Sequence, residues 1–153
     1  MIVMPSFKPE SAVAILHHSN LDEWVARYTL ESASIWASDS EGKLPSAIKT
    51  REIAVDKLLA ERIVGLWKVA IDQSVNVIDV GADGVTYLFS VNDDQAYTSF
   101  PGCGLPIHMV ESGEALRDAI VAKSQAQRSV ALKHVAASLD LIKLDTTEQA
   151  KAQ

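Results

Sequence analysis

Alternating side chains near the middle of the chain constrain the fold more than any other sequence feature. Residues 75–80 and 85–91 are rich in β-branched and aromatic residues, which favour extended strands. One face of the second segment carries Val85, Tyr87, Phe89 and Val91. The pair Asp83-Gly84 between the two segments is typical of a tight hairpin turn. We therefore predict that residues 75–80 and 85–91 pair antiparallel across Gly81–Gly84.

Two more strands are predicted after this hairpin. The segment QAYTSF, residues 95–100, follows the turn sequence NDD and predicts a third strand. The segment LPIHMV, residues 105–110, predicts a short fourth strand. Pro106 has no amide proton to donate, so this strand should lie at an edge of the sheet.

Helical periodicity precedes the strands. Residues 11–18 predict a short helix, and the capping-box spacing of Asn20 and Glu23 predicts a helix over residues 20–37. Apolar residues at steps of three and four then predict a helix over residues 46–72. That helix would be about 40 Å long, whereas a compact domain of this size is roughly 30 Å across. It should therefore kink, most easily at Gly65, or overhang the domain.

A long helix is predicted to close the chain. It begins near Ser112 and Glu114 and runs to Leu144, and its polar stretch at residues 122–129 indicates either a solvent-facing segment or a bend. Residues 145–153 read as a polar tail that frays. Because the strands are grouped, the sequence predicts an α+β fold. Residues 1–144 form a single domain with N-terminal helices, an antiparallel three- to four-stranded meander and a long C-terminal helix.

Composition excludes several classes of protein. Of the 153 residues 48% are hydrophobic, which is enough for a packed core. No apolar run is long enough to cross a bilayer, and the first residues lack the basic region of a secretory signal, so we predict a cytoplasmic protein without membrane contact. The net charge is −6 and no window is strongly basic, which argues against nucleic-acid binding.

The single cysteine, Cys103, excludes an intrachain disulfide and a cysteine-rich zinc site. It is a candidate catalytic thiol with His108 or His134 as its base, and Asp140 would orient His134 only if the helix bent. However, residues five apart on a strand point to opposite faces, which separates Cys103 from His108. The sequence PGCG therefore favours a glycine turn that holds a half-buried cysteine.

Metal and cofactor motifs are incomplete. The segment DVGADG, residues 79–84, resembles a calcium loop only in part. Gly81 stands at the third position of the loop and has no side-chain ligand, and Ser90 stands at the twelfth position, which requires a bidentate glutamate. His17 and His18 are adjacent and lack the spacing that places two imidazoles on one helix face. No phosphate-binding glycine loop is present. We predict neither a metal nor a cofactor.

Aromatic residues mark the candidate binding surfaces. We predict that Trp24 and Trp67 are largely buried. The helices nevertheless show more apolar surface than one small sheet can cover, which predicts an interface that uses Trp24, Trp36 or Trp67. We predict a homodimer formed partly through the helix over residues 46–72. A sheet face with Tyr87, Phe89 and Tyr97 is a candidate lining for a small-ligand pocket.

These observations favour a non-enzymatic protein–protein interaction module, either an adaptor, a chaperone-like protein or an inhibitor of the immunity type. The acidic charge suits a basic protein partner. The alternatives are a small cysteine-dependent enzyme that uses Cys103 with His108 or His134, and a small-ligand-binding domain.

Overall fold

The computed structural model describes residues 1–5, 9–31, 48–73, 84–99 and 104–152. Its strands form one six-stranded antiparallel sheet with the order β4-β3-β2-β1-β5-β6. The strands are β1 (Ile2–Pro5), β2 (Ser11–His18), β3 (Glu23–Glu31), β4 (Ile48–Ala54), β5 (Val85–Val91) and β6 (Asp94–Ser99). The described helices are α1 (Lys57–Gln73), α2 (Leu105–Val121) and α3 (Gln125–Ala152). The α+β class is confirmed, but the chain begins with strands.

The two predicted N-terminal helices are wrong where the structure describes them. Residues 11–18 form β2, which pairs antiparallel with β3 from Ser11↔Leu30 to His18↔Glu23. Asp22 has a φ of 48° in the turn between them, a left-handed conformation that aspartate tolerates better than most residues. The Asn20–Glu23 spacing therefore belongs to a hairpin turn and not to a helix cap. Residues 32–37 lie outside the described residues.

The predicted helix over residues 46–72 is also wrong in its first third. Residues 48–54 form β4, which pairs with β3 from Glu31↔Ile48 to Val25↔Ala54. The helix starts only after Asp56, whose Oδ1 accepts hydrogen bonds from the amides of Leu58 and Leu59 at 3.0 and 3.2 Å. Helix α1 has 17 residues, which corresponds to about 25 Å, and Gly65 lies within it without a break. Helix α1 is therefore shorter than the domain, which is roughly 30 Å across, and it has no need to overhang.

The strand over residues 85–91 is confirmed, and so is the strand that follows it. Strand β5 pairs with β6 from Thr86↔Ser99 to Val91↔Asp94 across a tight turn in which Asn92 has a φ of 54°. At the other edge of β5, β1 pairs antiparallel from Ile2↔Leu88 to Pro5↔Val85. Residues 75–80, the partner that the sequence predicts for β5, lie outside the described residues.

Residues 105–110 start a helix, so the fourth strand of the predicted meander is wrong. Proline suits the first turn of a helix because an amide there has no helical acceptor, and Pro106 lies in the first turn of α2. Ser112 and Glu114 consequently lie inside α2.

The polar stretch at residues 122–129 contains the bend that was one of its two interpretations. Helix α2 ends at Val121 and α3 begins at Gln125. Ser124 Oγ accepts a hydrogen bond from the Gln127 amide at 3.2 Å, which caps the new helix. Residues 145–152, read from the sequence as a frayed tail, continue α3, and Thr146 is buried.

The core lies between the helices and one face of the sheet. On that face Val13 of β2, Ala26 of β3 and Phe89 of β5 are buried. The largest fully buried side chains from the helices are Ile63, Leu116, Val135, Leu139 and Ile142. On the opposite sheet face Ile2, Leu16 and Leu88 keep part of their surface exposed.

Trp67 joins α1, α2 and the sheet. Its indole Nε1 donates a hydrogen bond of 3.0 Å to Ser112 Oγ, and its ring meets Phe89 edge-on with centroids 5.5 Å apart. Only 5% of Trp67 is exposed. The burial predicted for Trp67 is confirmed, whereas Trp24 is only half-buried.

The amino terminus is also buried. The Met1 amine donates to the Val13 carbonyl at 2.8 Å, and the Met1 side chain packs over Gly113, where a Cβ would lie 2.6 Å from the Met1 sulfur. Burial lowers the pKa of this amine to about 5.

We expect Trp67→Ala to reduce the free energy of unfolding by about 3–5 kcal/mol, because it leaves a large cavity beside Phe89. Trp67→Phe should cost about 1–2 kcal/mol, since the ring stays apolar and Ser112 keeps its bond to the Met109 carbonyl. Urea titrations measure both values. Equal losses for the two variants would contradict a role in packing.

The buried amine should make stability depend on pH. Its pKa is about 5 in the folded chain and 8.0 when unfolded, so the unfolded chain binds more protons between these values. The contribution of the uncharged Met1 amine to the free energy of unfolding is complete above pH 8 and is lost as the pH falls to 5, and it amounts to at most about 4 kcal/mol. Urea titrations at several pH values, on the free and the N-terminally acetylated chain, measure it. Parallel pH curves for the two chains would refute this origin.

Candidate functional site

A wide groove lies between α2 and α3. The two helices run antiparallel because only Ala122, Lys123 and Ser124 separate them, and they pack against each other along α2. The groove on their outer side has a volume of about 1070 Å³. Its lining from α2 includes Glu111, Glu114, Ala115, Asp118 and Val121, and its lining from α3 includes Ala126, Val130, His134, Ala137 and Leu141.

The α3 side of the groove is mostly apolar and open to solvent, and the exposed His134 lies near its middle. Its positions 126, 130, 134, 137 and 141 are spaced by three or four residues and therefore share one helix face. Val130 is 54% exposed and Leu141 is 40% exposed. Val135, Leu139 and Ile142, which point to the core, are completely buried. Helix α3 thus has a second apolar face that the described residues leave uncovered.

The α2 side of the groove is acidic. Glu111, Glu114 and Asp118 follow one another at steps of three and four, so their carboxylates form a stripe along the helix. Arg117 donates from Nη2 to Asp118 Oδ1 at 2.8 Å and lies 4.0 Å from Glu114. Burial first, and the Glu114 carboxylate second, raise the pKa of the nearby Tyr87. One guanidinium therefore partly balances three carboxylates along this wall.

The tyrosines and the phenylalanine predicted to line a ligand pocket are not brought together. Phe89 is 1% exposed and belongs to the core. Tyr97 pairs with Leu88 across the sheet, so it lies on the opposite face from Phe89 and Tyr87. Tyr97 is exposed there, while Tyr87 is half-buried on the helix side.

The described tryptophans, Trp24 and Trp67, also lie in different surroundings. Trp67 is a core residue. Trp24, on β3, stacks on His17 of β2 with ring centroids 4.6 Å apart. His17 in turn lies 3.1 Å from Asp22 in the adjoining turn. Trp36 lies outside the described residues.

The candidates for thiol chemistry are divided between two places. Cys103 lies outside the described residues. His108, in the first turns of α2, has Nδ1 3.1 Å from Glu111 Oε2 and Nε2 3.8 Å from Asp145 Oδ2 of α3. His134 is exposed in the α2–α3 groove, and Asp140 forms an ion pair with Arg62 of α1. Asp140 therefore does not orient His134, and His108 is the histidine that carboxylates hold.

The described part of the chain contains neither a cluster of metal ligands nor a membrane-spanning helix. Within residues 1–5, 9–31, 48–73, 84–99 and 104–152, no three His, Cys, Asp or Glu side chains converge in a way that would hold a metal ion. No helix in those ranges is both long and apolar enough to span a bilayer.

The sequence analysis missed the α2–α3 groove, although its signal is present. Val130, Leu141 and Leu144 are apolar but fall on a different stripe from Val135 and Leu139. Two apolar stripes on one helix indicate two packing surfaces.

Comparison with protein-family models, with curated proteins and with solved structures finds no match to this chain, so its function has to be argued from the groove and from His108.

Proposed function

We propose that this chain is a non-enzymatic protein–protein interaction module, an adaptor, chaperone-like protein or inhibitor, that binds a helical segment of its partner in the α2–α3 groove. The observation that carries the proposal is the exposed apolar face of α3 beside the acidic stripe of α2. Apolar side chains that a helix presents to solvent at regular spacing are typical of a surface that binds another helix.

The dimensions of the groove suit such a segment. From Ala126 to Leu141 the α3 side is about 22 Å long, which matches roughly four helical turns. Val130 and Leu141 lie near its two ends, with the His134 imidazole and the smaller Ala137 between them. Burial of the exposed parts of Val130 and Leu141 would contribute about 1 kcal/mol each. A groove of this kind binds through several modest contacts, and its specificity depends on the spacing of the side chains on the partner helix.

A photo-crosslinking amino acid tests this proposal. With benzoylphenylalanine in place of Val130, we expect irradiation in host cells to give a covalent adduct with a discrete partner protein. The matched control carries the same residue in place of Leu21, which is 69% exposed in the turn between β2 and β3 and belongs to neither proposed interface. Leu141→Asp in the Val130-labelled chain should abolish the adduct. Equal adducts from the two labelled positions would show that the groove has no special role.

The predicted homodimer is a separate proposal. Its first argument, the length of the helix over residues 46–72, no longer applies because α1 is shorter. Exposed Leu58 and Val69 on α1 are the remaining support for an interface on that helix. Self-association through α1 would leave the α2–α3 groove available.

A small cysteine-dependent enzyme is the second candidate, and the surroundings of His108 favour it. His108 lies between the carboxylates of Glu111 and Asp145, and it follows Cys103 by five positions. A histidine held by carboxylates is a plausible base for a thiol. A small-ligand-binding domain has less support, because Phe89 and Tyr97 lie on different faces of the sheet.

The rate at which iodoacetamide alkylates Cys103, measured against pH, separates the two candidates. An interaction module should give a thiol pKa near the ordinary value of about 8.5. It should give the same value in the His108→Gln and His134→Gln variants. A lower thiol pKa that rises in His108→Gln but not in His134→Gln would support the enzyme and count against the interaction module.

A further inference from the structure

We infer that the segment bound in the α2–α3 groove is a positively charged amphipathic helix. This inference rests on the proposed function, since it names the partner's chemistry at the same site. Its basis is charge complementarity, because the apolar floor alone would accept any amphipathic helix.

The acidic stripe faces solvent along the whole α2 side of the groove. The side chains of Glu111, Glu114 and Asp118 are 49%, 42% and 57% exposed. The Arg117 guanidinium donates a hydrogen bond to Asp118 on the same wall and lies 4.0 Å from Glu114 Oε1, at the limit of ion-pair distance. Lys123 lies at the end of the groove, in the loop between the helices. The wall therefore keeps an excess of negative charge, in a chain whose net charge is −6.

The spacing of the carboxylates specifies the partner's pattern. Steps of three and four residues on α2 match lysines or arginines at the same steps on a helix that lies alongside. That helix would place its leucine-like residues against Val130 and Leu141, and its basic residues toward α2. Long basic side chains can reach the carboxylates while their methylene groups cover the apolar floor.

Charge argues against a second copy of this chain as the occupant. In a two-fold arrangement through this groove the same surface is used by each chain, so both acidic stripes would border one interface. Like charges in an interface oppose association. A basic helix meets the opposite sign, and its binding should weaken as salt increases.

Synthetic helices test the inference directly. The first peptide has 18 residues, with leucines at steps of three and four and lysines on the remaining face. The second carries glutamate in place of every lysine, and the third is a scrambled form of the lysine peptide. Fluorescence anisotropy with the full chain at low and moderate salt should show binding of the first peptide alone, and that binding should weaken at the higher salt concentration.

Two matched variants locate the binding. The variant Glu111→Gln/Glu114→Gln/Asp118→Asn removes the stripe, and the control Glu61→Gln/Asp93→Asn/Glu148→Gln removes the same charge from exposed positions elsewhere. We expect the first variant to weaken binding of the lysine peptide by roughly tenfold or more and the control to weaken it by less than about threefold. Thermal melting should show that both variants fold.

Three results would overturn the inference: binding of the glutamate peptide as tight as that of the lysine peptide, equal losses in the two variants, or no binding of any peptide. None of these results removes the proposed function if the crosslink at position 130 still forms. In that case the groove binds a partner of different chemistry. Loss of the crosslink together with loss of peptide binding would remove both.

Discussion

Strand β1 holds the two halves of the sheet together, and the rest of the structure depends on its two sets of hydrogen bonds. It has only four residues, yet it pairs antiparallel with β2 at one edge and with β5 at the other. The strands β2, β3 and β4 lie on one side of it, and β5 and β6 lie on the other. Without β1 the chain would have two small sheets, and neither would present the continuous surface on which the helices pack. The buried Met1 side chain against Gly113 fixes the same strand beneath α2.

The groove is a consequence of this arrangement. Helix α3 packs its residues Val135, Leu139 and Ile142 into the core, while the short connection to α2 keeps the two helices side by side. The groove on the outer face of α3 is lined by α2, by α3 and by the loop between them. Because the α2 surface there is acidic and the α3 surface is apolar, one groove combines both kinds of recognition.

Sequence reasoning succeeded where structure is set by neighbours along the chain. The strands β5 and β6 and the α+β class followed from alternation and turn residues, and the bend near Ser124 had a local polar signal. It failed over residues 11–31, where Val13 and Ile15, and likewise Ala26 and Tyr28, follow the period of two that a strand requires, because the capping-box spacing of Asn20 and Glu23 favoured the period of a helix. Pairing with β1 and β4 decides between the two periods, and that information is not local.

Of the candidate sites, His108 was named, but its partner Asp145 on another helix was not. The acidic stripe of α2 was missed because the predicted helix began only near Ser112, which left Glu111 outside it.

The position of β1 also has a consequence for folding. Ile2 pairs with Leu88, so the central hydrogen bonds of the sheet join residues that are far apart in sequence. Such contacts form late, because closing a long loop costs conformational entropy before the contacts repay it. Any chain cut between α1 and β5 would keep β1 to β4 but would leave the inner edge of β1 unpaired, with its amides and carbonyls open to strands of other molecules. Proteolysis in that interval, followed by loss of the C-terminal fragment, would therefore turn a central strand of this open sheet into an exposed edge.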